Sequence, residues 1–352
     1  MGKFSLAEEL FKAAQQAEKV KQVESTLEAS KAAETVPTLL TETPKTSPSI
    51  KGLADSVERA LANHLSLPLG ERASNSRNAR EVISQHIGKT KDGKYKDLLG
   101  QNQKLLKTEQ GIEGSQPLTL DDGRGVENIG LSLSPAYQEG KFNICPNSKS
   151  CKEACLGKTS GGNFFAGGGK DLEAMLGPRL AGYNKTQAFL NNPEEFAVRL
   201  NDEITAAKHI AAANGNHLGV RLNVLSDIHP KVWKPLMDAH PDVSFYDYTK
   251  LDTDAVAPNH HLTYSSTGVS QPAGYNGLNT DVVNVHQNWH NMRRRLDKGD
   301  NVAMAFSHKE LVPENIIDEE TGKSYRVISG DSHDFRPIDM TPEGDEGVII
   351  GL

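Results

Sequence analysis

An α/β fold, a partial or complete parallel β/α barrel with a helical N-terminal extension, is the architecture this sequence predicts. Two observations lead there. Short β-rich runs recur through the second half of the chain, the middle ones starting roughly 20 residues apart, which leaves room for a helix or loop between neighbours. The clearest intervening segment, after Asn192, carries a helix start and an apolar face at helical spacing. Apolar strands alternating with helices form a parallel sheet covered by helices, closed or open. An open doubly wound sheet is the second choice.

Residues 1–34 read as a helix, with Ser5 and Glu8 as a capping box and Ala, Glu, Lys and Gln prominent after it. Its apolar positions, Phe4, Leu10, Phe11, Val20, Val23 and Leu27, are sparse, so the helix is expected to be partly mobile and is a candidate to dock on a protein partner. Residues 35–50, with Pro37, Pro44 and Pro48, read as a linker, so 1–50 form one extension. Residues 51–115 read as helical stretches broken at Pro68, Gly70, Gly88 and Gly93, an appendage without chemistry of its own. The barrel-like domain is placed at 116–352. Its expected strands are Glu127–Leu133, Gly219–Leu225, Val243–Tyr248, His261–Ser265, Asp281–Val285, Val302–Phe306, Tyr325–Ser329 and Gly347–Gly351. Asn192 is the expected N-cap of the clear helix, with Pro193 in its first turn and Phe196, Leu200 and Ile204 on one face. A shorter helix is expected over Lys231–Ala239.

Composition excludes several classes. The chain has 352 residues, enough for one large domain and an additional segment. No apolar run is long enough to span a bilayer and the N-terminus lacks a signal-peptide plan, so no membrane contact is expected. A reducing cytoplasm, that of the host if the gene is phage-borne, is the expected location. A formal charge of −7 argues against a generally basic nucleic-acid binder. The run Arg293, Arg294, Arg295 could still line a local basic groove, although a solvated helix face explains it as well.

The cysteines carry the sharpest signal. All three, Cys145, Cys151 and Cys155, fall within eleven residues. An odd, clustered set leaves one thiol over in any disulfide scheme, and in a reducing compartment such a cluster more often holds a metal. Three thiolates suit a 4Fe–4S cluster with one open iron, which S-adenosylmethionine can chelate. Zinc is the alternative, but a structural zinc site normally takes four ligands. Pro, Ser, Lys and Glu around the cysteines describe a polar loop better than a buried stripe. The glycines from Gly157 to Gly169 could approach a cofactor closely or form a plain turn.

Polar groups at strand ends give the remaining candidates. In β/α folds ligands gather at the C-terminal ends of strands. The segment Arg221–His229 places Asn223, Ser226 and Asp227 there, although Ser226 or Asp227 could instead cap the helix near Pro230. The next strand ends in Tyr246, Asp247, Tyr248, Thr249 and Lys250, and the following one carries His261 to Ser266. Alternation along the strand puts Tyr246 and Tyr248 on one face and Asp247 on the other. The segment Gly330–Arg336 reads as a surface turn with an Asp–Arg pair, or less readily as a metal site. A hydrolase with a zinc ion on Asp227, His229, His261, Asp331 and His333 is one rival reading. A non-enzymatic phage accessory protein with a structural zinc is the other.

The ordered motifs Leu131-Ser-Leu-Ser-Pro135, the Cys145–Gly157 cluster, Lys185-Thr186, Arg221–Asp227, Phe245–Lys250, His261–Ser265 and Gly347–Leu352 resemble the phage-encoded "gene product eighty-eight" domain. The resemblance covers roughly residues 116–352 and imports no settled activity. The three-cysteine loop followed by these strands is also similar to phage proteins that resemble radical S-adenosylmethionine enzymes. That likeness implies a 4Fe–4S cluster on Cys145, Cys151 and Cys155, and S-adenosylmethionine near Asn223, Ser226, Asp227, Tyr246, Tyr248 and Lys250. It also implies an external electron donor and a 5′-deoxyadenosyl radical that takes hydrogen from a substrate the sequence does not identify. One departure stands: the usual loop spaces its cysteines by three and two residues with an aromatic before the last, whereas here the gaps are five and three and Ala154 precedes Cys155.

Overall fold

Alternating apolar residues build the strands, and a computed structural model shows how they pair. It describes residues 49–111, 117–134, 143–147, 177–270, 282–306, 312–318, 320–339 and 346–352. The chain divides into two units, Met1–Glu42 and Thr43–Leu352. All described residues belong to the second, so the expected N-terminal helix and most of the linker lie outside them.

The helices of this unit are α1 (Ile50–Ser66), α2 (Leu69–Ile87), α3 (Gln103–Gln110), α4 (Gly177–Asn191), α5 (Pro193–Ala213), α6 (Lys234–Ala239) and α7 (Val282–Asp297). The strands are β1 (Leu99–Gly100), β2 (Val126–Leu131), β3 (His217–Arg221), β4 (Ser244–Thr249), β5 (His260–Ser270), β6 (Val302–Phe306), β7 (Asn315–Ile317), β8 (Ser324–Ser329) and β9 (Ile349–Gly351). They form one nine-stranded sheet in the order β1-β2-β3-β4-β5-β6-β9-β8-β7. The two edge pairs, β1–β2 and β7–β8, are antiparallel and every other pair is parallel. The fold is therefore mixed α/β with a largely parallel sheet. No described helix is long and apolar enough to cross a membrane.

Alternation along the strands creates two different faces. On one, Leu218, Val220 and Phe245 are buried against Phe196 and Leu200 of α5, Trp233, and Leu53, Val57 and Leu61 of α1. Ring centroids of Phe189 lie 5.2 Å from Phe196 and 5.0 Å from Trp233. Each such side chain contributes roughly 1.5–3 kcal/mol by leaving water. Residues 50–87 are thus part of the core and not an appendage. Their apolar residues at helical spacing have no other surface to cover. Ser49 starts α1 by accepting a hydrogen bond from the Gly52 amide at 2.9 Å.

On the other face Phe335 packs with Leu105, Val126, Val224 and Tyr246. Close approach is possible because residue 219 is a glycine: a Cβ there would stand 2.2 Å from Asn128 Oδ1 and 2.9 Å from the Phe335 ring. Three expectations are corrected at this level. Asp281–Val285 is not a strand, since α7 runs from Val282; Met292 and Leu296, one turn apart, bury with Val302, Val327 and Ile349, and that helical period outweighs the local β-branched run. Asn192 is the N-cap residue of α5 as expected, but its side chain makes no capping bond and its Nδ2 meets His86 Nε2 at 2.8 Å instead. The segment 330–336 is not a surface turn: Asp334 and Arg336 are fully buried.

Candidate functional site

Asn223 organises the loop that leaves β3. Its Nδ2 donates to the Ile228 carbonyl at 3.0 Å, and its Oδ1 accepts from Ser226 Oγ at 2.9 Å and from the Ile228 amide at 3.0 Å. Its own amide donates to Asp247 Oδ1 of β4 at 2.6 Å. Asp227 then ties the loop to the end of β4, one carboxylate oxygen accepting from Thr249 Oγ1 at 2.7 Å and the other from the Lys250 amide at 2.9 Å. Ser226 and Asp227 therefore do not cap a helix. The cap of the 3-10 turn Pro230–Val232 is His229, whose Nδ1 accepts from the Lys231 amide at 3.2 Å.

The cysteine segment is stapled to the same strand ends. The Asp227 amide donates to the Ile144 carbonyl at 2.9 Å, and Asn147 Nδ2 donates to the Lys250 carbonyl at 2.9 Å. Cys145 is half-buried, with its thiol 3.6 Å from the Leu225 carbonyl and its amide donating to Asn143 Oδ1 at 2.9 Å. Cys145, Asp227 and Lys250 thus lie together beyond the C-terminal ends of β3 and β4. Cys151, Cys155 and the glycines 157–169 lie outside the described residues.

Electrostatics follow burial. Burial raises the Asp227 carboxyl, while the bonds from Thr249 and the Lys250 amide pull it back. Asp247, fully enclosed, is pushed up to about 7 by burial against the pull of the Asn223 amide. The Lys250 ammonium stands 3.4 Å from Ser265 Oγ of β5.

The six expected cofactor contacts are divided by the sheet. Asn223, Ser226 and Asp227 are buried; Asn223 and Ser226 spend their side-chain bonds on the loop itself, and Asp227 spends its bonds on Thr249 and the Lys250 amide. Lys250 points across the strand ends towards β5. Tyr246 and Tyr248 lie on the opposite face from Asp247 and Thr249. There Tyr246 Oη donates to Asp334 Oδ2 at 3.3 Å, and the Arg221 guanidinium lies over the Tyr248 ring at 4.5 Å. Burial and the nearby Asp334 carboxylate raise the Tyr246 hydroxyl well above its ordinary value. Arg221 pairs with Asp334 at 3.0 Å, and Arg336 pairs with Asp339 at 2.8 Å. In place of one Asp–Arg pair within a surface turn there are these two buried pairs, because each buried charge needs its own partner.

Asn147 and the Arg221–Asp334 pair were not singled out as site residues, and Thr249 was named only among the polar groups at the end of its strand. An arginine inside an otherwise apolar strand was the available signal for the pair, since a buried charge demands a counter-charge. Nothing local marked Asn147. Among the described residues, no three His, Cys, Asp or Glu side chains converge in a way that could hold a metal ion.

These features define a class first: a mixed α/β protein whose largely parallel sheet carries a thiol-bearing segment at the C-terminal ends of its strands. The chain belongs to the gene product 88 family, whose model matches residues 96–349. The match reaches upstream of residue 116 to take in β1 and α3, and leaves α1 and α2 outside. No curated protein and no solved structure matches the chain.

Proposed function

We propose that this protein is an iron–sulfur enzyme resembling the radical S-adenosylmethionine enzymes, with Cys145, Cys151 and Cys155 as thiolate ligands of a 4Fe–4S cluster. The observation that carries the reading is the seat of Cys145. The connection bearing the cysteines leaves the C-terminal end of a parallel strand, β2, and its first thiol rests where β3 and β4 end, the edge at which β/α proteins hold ligands. A half-buried soft donor at that edge fits a thiolate-bound metal. Strand order supports the finer architecture, a partial β/α barrel. From β2 to β6 each strand neighbours the next in sequence, whereas a doubly wound sheet requires the order to reverse.

The chemistry such a centre supplies when bound is reductive cleavage of a sulfonium, one electron from an external donor giving methionine and a hydrogen-abstracting 5′-deoxyadenosyl group. The chain's own residues position and exclude. Asn223, Ser226 and Asp227 fix the strand-end loop, and Asn147 and the Ile144 carbonyl fix the thiol segment against it. Lys250, whose ammonium lies at the same strand ends, would be the cation that meets the carboxylate of S-adenosylmethionine.

Protein purified without oxygen is expected to carry about four irons with matching sulfide per chain, and to convert S-adenosylmethionine to 5′-deoxyadenosine and methionine under dithionite. Cys145→Ala should abolish both. Stoichiometric zinc without sulfide would overturn the reading in favour of a structural zinc site.

A further inference from the structure

We infer that the groove between α2 and α5 binds nucleic acid through its phosphate backbone. The groove encloses about 560 Å³ and is lined by Arg77 and Arg80 of α2, Tyr95, and Thr205 and His209 of α5. Positions 73, 76, 77 and 80 share one face of α2, so both guanidinium groups stand on the same wall. Among the described residues neither arginine makes a hydrogen bond or an ion pair, and both are exposed. Like charges one turn apart on a helix repel. A bound polyanion removes that penalty.

The cations continue past the helix. The segment Lys89–Lys96 folds back on itself, with Lys89 bridged to Tyr95, and carries Lys89, Lys91, Lys94 and Lys96. Lys94 is taken by Asp92 at 2.8 Å, while Lys89 lies over the Tyr95 ring at 4.8 Å beside the groove. Residues 69–96 hold seven Lys or Arg against three Asp or Glu, in a chain whose formal charge is −7. The arginine run of α7, by contrast, is taken up in ion pairs. Arg293 pairs with Asp318 and Glu320, Arg294 with Asp252, and Arg295 with Asp252, Asp254 and Asp300. The arginine run that the sequence offered as a basic groove is therefore an ion-pair network, whereas among the described residues Arg77 and Arg80 of α2 stand unpaired.

Chemistry selects the partner. Guanidinium groups match phosphate oxygens in a planar, forked geometry. A polyphosphate strand also gains from counterion release at each neutralised phosphate, which a peptide with a few carboxylates does not. Asp202, at the same groove, is turned to His64 at 3.5 Å. Recognition through Arg77, Arg80 and the lysines contacts no base edges, so binding should be independent of sequence. Half of the groove comes from α2 and Tyr95, upstream of the family match.

The test is fluorescence anisotropy of the full chain with a labelled oligonucleotide, single-stranded and duplex, at about 50 and 200 mM salt. Expected is binding of at least one form that weakens steeply with salt. The double variant R77Q/R80Q should bind at least about tenfold more weakly, with the slope of log affinity against log salt reduced by about two. R294Q, which removes an ion-paired arginine, should bind as the parent does. Circular dichroism confirms that the exposed substitutions leave the fold intact. Absence of binding at the lower salt, an unchanged slope in R77Q/R80Q, or equally effective competition by polyglutamate of matched charge would each overturn the proposal.

Discussion

Asp247 shows how much a single buried group decides. Its Oδ1 accepts from the Asn223 amide at 2.6 Å, while Oδ2 faces His260 Nε2 at 3.9 Å. Burial pushes Asp247 up to about 7 and pushes His260 down to about 4. Near pH 6 both are neutral, and no ion pair forms. A carboxyl with a raised pKa binds its proton more tightly folded than unfolded, so its contribution favours the fold most below the ordinary carboxylate range and is lost as pH rises through about 7. His260 works in the opposite sense between about 4 and its ordinary value. Asp247→Asn keeps an acceptor for Asn223 and cannot ionise. Its urea midpoint relative to the parent should therefore rise from pH 5 and level off above about pH 7, on top of a constant offset from the new amide at His260. A pH-independent difference would show that Asp247 is ionised in the fold.

At the scale of elements, the segment around Asp334–Asp339 holds the second face of the sheet. It has almost no regular structure, only a 3-10 turn at Arg336–Ile338. Its attachment rests on the Phe335 ring over Gly219 and the Asp334 carboxylate on Arg221. Tyr246 and Phe335 rings meet edge to face at 5.6 Å. Gly219→Ala forces a methyl into the space of Asn128 and Phe335, an overpacking cost of about 1–3 kcal/mol. Asp334→Ala leaves the Arg221 guanidinium buried without a counter-charge, at about 3–5 kcal/mol. Both losses should appear as lower urea midpoints, with Asp334→Ala the larger. Equal stability of Asp334→Ala and the parent would mean that Arg221 reaches water.

For the whole molecule, the boundary that matters is not the family boundary. Leu53, Val57, Leu61 and Ile83 are each at most 2% exposed and join the core that holds Phe196, Trp233 and Phe245. Removing α1 and α2 bares the far side of that core. At roughly 1.5–3 kcal/mol per side chain, four such losses rival the 5–15 kcal/mol that hold a typical domain together. A chain starting at Thr43 should fold and melt cooperatively, as the division at that point implies. A chain starting at Lys96, where the family match begins, should be insoluble or lack a cooperative transition. A soluble, cooperatively melting protein from Lys96 would make the two helices dispensable after all.

Sequence alone determined the mixed α/β class, most parallel strands to within a few residues, and the polar ends of β3 and β4, because those features are written in local alternation, helix period and strand-end polarity. It also gathered the three cysteines, whose clustering is visible without a fold. The tertiary structure decided which face each group serves. Leu53 and Ile83 sit in a segment that read as an appendage until α5 and the sheet covered them. Asp334 and Arg336 read as a surface turn because charge normally seeks water, and only the opposite strand, with Arg221 waiting in β3, made their burial affordable. The arginine run of α7 and the arginines of α2 look alike as sequence. They differ because Asp252, Asp254 and Asp318, distant along the chain, and Asp300 just past the helix end were brought to one run and not to the other.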